Sequence, residues 1–215
     1  MGQLEQPMLD PLRRFNRTVT QRVGALNDDF LARRRPLGQA RLLWAEVERL
    51  LTASAFEVKI AGPGERAAQA CLNAYYAELP HRFDHGFDPA LSTPVQDAAL
   101  RPPSGLLLLA TLRGEPVGIG GLRFHGDGVA EVKRMWVAPI ARRTGLGRRI
   151  LAELEGRAAE RGVRVLRLET NHALTEAIGL YKSAGYQEVA PFNDEAYAQH
   201  WFEKILGRPE AAGAA

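Results

Sequence analysis

The chain has 215 residues, of which 46% are hydrophobic and 25% charged, enough for one folded domain and an additional segment. No apolar run reaches the roughly 20 residues of a membrane span, and the first ten residues do not resemble a secretory signal, so we expect a cytoplasmic protein without membrane contact. The single cysteine, Cys71, excludes an internal disulfide and a thiolate-built zinc site. We expect Cys71 to be a buried small side chain, and we predict no metal site.

The net charge of +3 is unevenly distributed. Residues 1–50 contain nine Arg against six Asp and Glu, whereas residues 51–215 contain nineteen charges of each sign. The positive excess therefore belongs to the N-terminal segment. A solvated helix face is the ordinary interpretation of such a segment, and contact with nucleic acid or an acidic partner is the alternative.

Apolar residues recur at spacings of three and four between Leu12 and Leu51, which predicts two helices. The pattern changes after Ser54, where "FEVKIAGPG" predicts a strand and "ERAAQACLNAYYAEL" a helix. Residues 80–104 are rich in proline and predict a long loop containing one helical turn. The chain therefore divides into a helical extension, an α/β domain and a disordered tail, with bounds of 1–54, 55–207 and 208–215.

Three strands follow the loop, with the sequences "GLLLLATLRG", "EPVGIGGLRFHG" and "VAEVKRMWVAP". Tight turns at Arg113-Gly114 and at "HGDG" join them. A Gly/Arg-rich loop leads into a helix ending near Arg161, then the strand "VRVLRLET", a helix over 174–184, and the strands "YQEVA" and "AQHWFEKIL". This order predicts an α/β fold with a mixed, mostly antiparallel sheet of six to seven strands flanked by helices.

The segment "RMWVAPIARRTGLGRRILAELE", residues 134–155, suggests an anion site. We expect the backbone N–H groups from Arg142 to Gly147 to surround a pyrophosphate, with the helix dipole adding a favourable potential. A stripe of apolar residues would dock the helix on the sheet, formed by Leu146, Ile150, Leu151, Leu154 and Ala158.

Three other interpretations of this loop remain. A dinucleotide-binding fingerprint would share the first two glycines of "GLGRRI", but Ile150 occupies the position of the third. A P-loop would need Gly-Lys-Ser/Thr, which is absent here. A helix start with solvated surface arginines needs no ligand at all.

The segment "VKRMWVAPIARRTGLGRRIL" resembles the acetyl-CoA-binding motif of the GNAT acyltransferase superfamily, Arg/Gln-x-x-Gly-x-Gly/Ala, through Arg142, Gly145 and Gly147. The resemblance extends over about 56–206 and includes "LETNHALTEAIGLYKSAGYQEV", which is similar to the second signature of the family. It implies a GNAT fold and transfer of an acetyl group from acetyl-CoA directly to the amine of a small molecule or amino acid. The fourth strand is expected to splay from the fifth.

The resemblance also implies residue roles. Residues expected to bind the cofactor are Met135, Trp136, Val137, Arg142, Arg143, Thr144, Gly145, Leu146, Gly147, Arg148, Asn171 and Tyr181, with Asn171 acting through its side-chain amide. Tyr181 is also the expected general acid for the departing thiolate.

Glu131 is the candidate base, because strand alternation would put Glu131, Lys133, Met135 and Val137 on one face. A solvent-facing Glu131 paired with Lys133, and a water chain as the base, are the alternatives.

Acceptor recognition is less constrained by the sequence. Aromatic and polar residues of "YYAELPHRFDHGFD" and "PFNDEAYAQHWFEK" are expected to form the walls of the acceptor site, Tyr75 and Tyr197 among them. The predicted substrate-binding residues are Tyr76, Phe83, Phe192 and Asn193.

The segment "PLRRFNRTVTQRVGALNDDFLARRRPLGQARLLWAE" resembles the opening helices of MarR-type winged-helix regulators, which are known to be fused to GNAT domains. The recognition helix and wing have no counterpart here, so we expect no specific DNA binding. The opening helix of that family contributes to dimerisation, which leaves a homodimer open. A transcription regulator whose GNAT domain senses acetyl-CoA or a metabolite is the alternative function.

Overall fold

The computed structural model describes residues 54–91 and 97–207. The predicted helical extension, its likeness to MarR-type regulators and the predicted tail fall on residues 1–53 and 208–215, which lie outside the described residues. Those hypotheses, and the regulator alternative that depends on them, stay predictions. No helix within the described ranges is both long and apolar enough to cross a membrane.

The described part of the chain forms one seven-stranded sheet with three α-helices, so the predicted α/β fold is confirmed. The strand order is β1-β2-β3-β4-β5-β7-β6, and every neighbouring pair is antiparallel except β4 and β5. The strands are β1 Phe56–Ala61, β2 Gly105–Leu112, β3 Glu115–Phe124, β4 Val129–Val137, β5 Val165–Thr170, β6 Gln187–Val189 and β7 His200–Ile205. The helices are α1 Arg66–Arg82, α2 Leu146–Glu160 and α3 Thr175–Ser183, with short 3-10 turns at Asp97–Leu100 and Pro139–Ala141.

Helix α1 is longer than its sequence pattern predicts. It continues through Pro80 to Arg82, although proline has no N–H to donate to the preceding turn. The interruption is tolerated because the helix ends within two residues of Pro80. The prediction that the loop begins at residue 80 is therefore wrong, and the added turn brings Arg82 and Phe83 to the site described below.

The core has two layers, one on each face of the sheet. Strand β2 is buried on both faces and reads as an uninterrupted apolar run. On one face it packs against α2, whose buried residues are the predicted stripe of Leu146, Ile150, Leu151, Leu154 and Ala158. On the other face it packs against α1, including Cys71, whose pKa is raised by burial, as expected for an inert thiol.

The pairing between β4 and β5 is short. It joins Val129–Glu131 to Val165–Arg167 and then stops, although β4 runs on to Val137 and β5 to Thr170. The two parallel strands thus leave unpaired backbone along a wedge in the middle of the sheet. The splay that the family resemblance implies is present.

A bulge in β4 lies beside this wedge. The register between β3 and β4 shifts between Ile119 and Gly121, and Arg134 adopts a left-handed conformation with φ of 58°. Lys133 contacts Glu131 and Glu169, whereas Met135 packs towards Ile150 and Leu154 of α2. The prediction that Glu131, Lys133, Met135 and Val137 share one face is wrong, because the extra residue reverses the alternation after Lys133.

Helix α2 lies close to the sheet because β3 has glycine beneath it. A Cβ at Gly120 would lie 2.7 Å from Ile150 Cγ2, 2.7 Å from Met135 Sδ and 3.1 Å from Leu154 Cδ1. Gly120→Ala should therefore lower the free energy of unfolding by about 1–3 kcal/mol, measured by urea denaturation.

Gly156→Ala is the matched control, since a Cβ at this helical position would meet nothing within 4 Å. It should leave stability unchanged or raise it by up to about 1 kcal/mol. Equal effects of the two substitutions would contradict close packing at Gly120.

Candidate active site

The wedge between β4 and β5 widens into a cavity of about 650 Å³ between α1, the end of β4 and the first turns of α2 and α3. Most of the residues predicted to bind a cofactor line it: Met135, Trp136, Val137, Arg142, Arg143, Gly145, Gly147, Arg148 and Tyr181. The side chains of Thr144 and Leu146 do not. The Thr144 hydroxyl donates to the Ala141 carbonyl at 2.7 Å, and Leu146 is buried in the core.

The loop before α2 presents an uncapped helix start. Arg143 and Gly145 have left-handed φ values of 64° and 93°, and no side chain caps the helix at Gly145. The amides of Leu146, Gly147 and Arg148 donate to no backbone acceptor within the described residues. Amides arranged in this way, at the positive end of a helix dipole, form a site for an anion.

The arginines of the loop have different surroundings. Arg143 is exposed and lines the cavity, and Arg148 lines it while donating to the Ser183 hydroxyl at 2.6 Å. Arg149 points elsewhere and donates to the Phe56 carbonyl at 2.9 Å. Arg142 is bound within the protein, because its Nε donates to the Val137 carbonyl at 3.0 Å.

Glu78 of α1 connects this loop to the sheet. Its Oε2 accepts from Arg142 Nη2 at 2.5 Å and from Trp136 Nε1 at 2.9 Å, and its Oε1 accepts from Arg82 Nη1 at 3.2 Å. Burial raises the pKa of Glu78, but the Arg142 and Trp136 hydrogen bonds and the two arginine charges lower it by more. The net pKa lies below the ordinary value, so Glu78 is an anion that fixes one wall of the cavity.

Arg82 carries the same network to the start of α3. Its Nη2 donates to the Ala173 carbonyl at 3.1 Å and to Glu176 Oε2 at 2.7 Å. The Glu176 carboxylate raises the pKa of Arg82 further. One charged chain from Arg142 through Glu78 and Arg82 to Glu176 therefore spans from the loop before α2 to the first turn of α3.

Tyr181 lies on α3 where the large cavity meets a second, smaller one of about 110 Å³. It is 5% exposed, and its ring packs at 5.9 Å from Tyr186 and 6.1 Å from Phe202. Burial raises the pKa of Tyr181 above 10, and the nearby Tyr75 and Glu169 add to this increase. The phenol is therefore a neutral donor at physiological pH.

The smaller cavity shares six wall residues with the larger: Tyr75, Leu79, Met135, Leu174, Ala177 and Tyr181. Four charged residues also line it: Lys133, Arg134, Glu169 and Glu195. The Glu169 side chain is 9% exposed, forms an ion pair with Lys133 and accepts from Asn193 Nδ2 at 3.5 Å.

Glu131 lies outside the linings of both cavities. Its Oε2 is 3.4 Å from Lys133 Nζ and 3.2 Å from His125 Nε2. Burial raises the pKa of Glu131, but these two partners lower it by more. The geometry does not favour Glu131 as the base, and that role stays a prediction. Its alternative is right about the pairing with Lys133 but wrong about exposure to solvent, since Glu131 is buried.

Asn171 is committed to its own loop. Its Nδ2 donates to the Tyr197 carbonyl at 2.9 Å, and its Oδ1 accepts from the Ala173 amide at 2.9 Å. The side-chain amide thus serves a turn at the end of β5. Asn171 lines the smaller cavity but not the larger one, so its contact with a cofactor stays a prediction.

Of the four predicted substrate residues, Phe83 lines the smaller cavity and the other three line neither of these two cavities. Tyr76 lines neither; Tyr75, one position earlier on α1, lines both. Phe192 lies 5.1 Å from the Arg167 guanidinium and lines neither cavity. Asn193 accepts from Trp201 Nε1 at 2.8 Å and lines neither cavity itself, although its Nδ2 donates to Glu169 in the wall of the smaller one. The residues missed include Glu78 and Glu169, which the sequence presents as ordinary helix and strand glutamates.

Comparisons with known proteins show the family of the chain. Residues 68–186 match the family model described as Acetyltransferase (GNAT) family, and the chain belongs to that family. Over 94 residues it is 37% identical to the IAA acetyltransferase of Azospirillum brasilense, which covers 43% of this chain. The chain spans 61% of the length of that curated relative.

Two solved structures show the same fold. An acetyltransferase of the GNAT family from Staphylococcus aureus superposes with a TM-score of 0.61 at 16% identity, covering 71% of this chain and 100% of that one. The yncA protein of Salmonella typhimurium, solved with its cofactor acetyl-CoA, superposes with a TM-score of 0.54 at 20% identity, covering 75% and 99%.

Glu78→Gln tests the charged chain. At pH 7 it should lower the free energy of unfolding by about 1–3 kcal/mol, because hydrogen bonds to a charged acceptor are weakened. The folded-state pKa of Glu78 is depressed, so its contribution is present above the ordinary value of 4.5 and is lost as the pH falls through the depressed value. The gap between wild type and variant should therefore close in acid, measured by denaturation at a series of pH values.

Glu153→Gln provides the control, since Glu153 forms an exposed i,i+4 pair with Arg157. It should change stability by less than about 0.5 kcal/mol at any pH. If Glu78→Gln changed the free energy of unfolding as little as Glu153→Gln does, Glu78 would not stabilise the fold through the charged chain.

Proposed function

We propose that the chain is an N-acetyltransferase that moves the acetyl group of acetyl-CoA to the primary amine of a small molecule or amino acid by direct transfer. The observation that carries the proposal is the uncapped start of α2, opening on a cavity that passes into a second one at Tyr181. Membership of the GNAT family supports acyl transfer as the reaction class.

The residues present fit acetyl-CoA. The free amides of Leu146, Gly147 and Arg148, with the exposed cation of Arg143, suit a pyrophosphate. The unpaired edge of β4 beyond Glu131 suits the amide-containing arm, and Met135 and Val137 supply apolar wall beside it. Bound there, acetyl-CoA would supply an activated thioester.

Proton transfers would fall to two residues where the cavities meet. Tyr181 is neutral and buried, so it can donate a proton to a leaving thiolate. Glu169 and Glu195 are the two carboxylates that line the smaller cavity, and the Glu169 charge acts on Tyr181, so we assign Glu169 the proton of the acceptor ammonium, directly or through water. Glu131 would not take part in proton transfer but would hold Lys133 by an ion pair, and Lys133 also pairs with Glu169.

Gly145→Asp tests the donor site. An added side chain conflicts with φ of 93°, and the carboxylate would repel a pyrophosphate. The affinity for acetyl-CoA, measured by titration calorimetry, should fall by at least about 100-fold, because backbone strain and charge repulsion both act against binding. Gly156→Asp, on the same helix at an open position, should bind normally, and equal loss in both variants would contradict the site.

Release of free thiol from acetyl-CoA with a panel of primary amines tests the activity itself. Tyr181→Phe should lower kcat by about 100-fold or more while leaving the affinity for acetyl-CoA unchanged, because the hydroxyl acts on proton transfer.

Glu169→Gln should lower kcat more than Glu131→Gln does. These two glutamates pair with the same lysine, so the comparison separates a base from an ion-pair partner.

Loss of affinity without loss of turnover in Tyr181→Phe would reduce Tyr181 to a packing residue.

A further inference from the structure

The smaller cavity has a charge that the proton-transfer scheme leaves unused. Two cations line it, Lys133 and Arg134. The charge of Lys133 is balanced by two ion pairs, one with Glu131 at 3.4 Å and one with Glu169. Arg134 has no carboxylate within 4 Å anywhere in 54–91 or 97–207, although Glu169 and Glu195 line the same cavity.

Arg134 is held in place by aromatic side chains and a strained backbone. Its guanidinium carbon lies 4.9 Å from the centre of the Tyr76 ring. Its charge also acts on the Tyr75 hydroxyl, whose pKa burial raises and Arg134 partly lowers. The left-handed φ of 58° belongs to the bulge that separates Lys133 from Met135, and such a conformation is unfavourable for a residue with a side chain.

The bulge thus places a cation next to the acceptor amine's expected position. The Arg134 charge lowers the pKa of Tyr75 and the Glu169 charge raises it, and the Glu169 charge also raises the pKa of Tyr181. Tyr75, Tyr181, Glu169 and Arg134 line one cavity, and the Arg134 guanidinium has no carboxylate partner in the described part of the chain. Arginine is the side chain best suited to bind a carboxylate through two parallel hydrogen bonds.

Beyond these charges the cavity has an aromatic wall. Phe83, Phe87 and Tyr197 all line it. The ring centre of Phe83 lies 5.9 Å from that of Phe87 and 5.6 Å from that of Tyr197, and the ring centres of Phe87 and Tyr197 are 4.9 Å apart. The Tyr197 hydroxyl accepts from the Asp88 amide at 2.7 Å, which fixes the wall to the segment after α1. An apolar group would be bound here by burial of its surface.

We propose that the acceptor is an α-amino acid with an apolar or aromatic side chain, and that Arg134 binds its carboxylate. The amine then lies towards Glu169 and the side chain against Phe83, Phe87 and Tyr197. This assignment rests on the proposed acetyltransferase function. A peptide N-terminus is the rival acceptor, because it offers the same amine without an α-carboxylate beside it.

Four matched acceptors test the proposal: phenylalanine, phenylalaninamide, phenethylamine and the dipeptide phenylalanylglycine. Wild type should acetylate phenylalanine with a kcat/KM about 10- to 100-fold above those of the other three, the range expected for one charged hydrogen-bonded pair. Arg134→Gln should reduce this preference to within about threefold, and Arg134→Lys should retain part of it. Direct calorimetric binding of phenylalanine to the protein saturated with coenzyme A should weaken in parallel.

Arg167→Gln is the control, since Arg167 also stacks on an aromatic ring but lies outside both cavities. It should leave the preference intact. If wild type binds acetyl-CoA and acetylates the amide or the dipeptide as well as phenylalanine, the assignment of Arg134 is overturned while the acetyltransferase stands. If acetyl-CoA is not bound and no amine releases thiol, both proposals fail together.

Discussion

The site depends on one interrupted ladder. Parallel strands β4 and β5 pair over only three residues each, and beyond Glu131 and Arg167 their backbones face each other without hydrogen bonds. Unpaired strand edges in the middle of a sheet are unfavourable unless another group satisfies them. The cavity lies at this interruption, where a ligand with amide groups could complete the ladder. The cavity, the uncapped helix and the buried phenol all lie around this opening.

A series of ion pairs spans one wall of the opening. An apolar contact between α1 and α3 would tend to close it, since burial of apolar surface is favourable wherever two helices meet. Instead, Glu78, Arg82 and Glu176 form a series of ion pairs across the cavity wall. Charged hydrogen bonds have preferred distances and directions, so these pairs orient the two helices relative to each other. Arg142, the first residue of the family motif, is one end of this chain and thus acts on loop geometry.

The sequence predicted what depends on periodicity and missed what depends on one extra residue. The apolar stripe of α2 is predicted residue by residue, because a helix of constant period faces a flat sheet. Alternation along β4 fails at Arg134, since a bulge leaves no signal in a run of mixed polar and apolar residues. The choice of Tyr76 over Tyr75 fails for a related reason: adjacent aromatic residues lie about 100° apart on a helix, and only tertiary packing decides which one faces the cavity.

Tyr181 shows how one residue can serve both cavities. A phenol must lose its proton to a thiolate and regain one, so it needs a hydrogen-bonded route to a second ionisable group. The charges of Tyr75 and Glu169 act on Tyr181, and all three line the smaller cavity. A proton taken from an amine at Glu169 would thus enter the same cluster from which Tyr181 gives one away. Burial raises the pKa of Tyr181 and keeps the phenol neutral, so under the proposed function the position of the amine relative to Glu169 would set the direction of proton transfer.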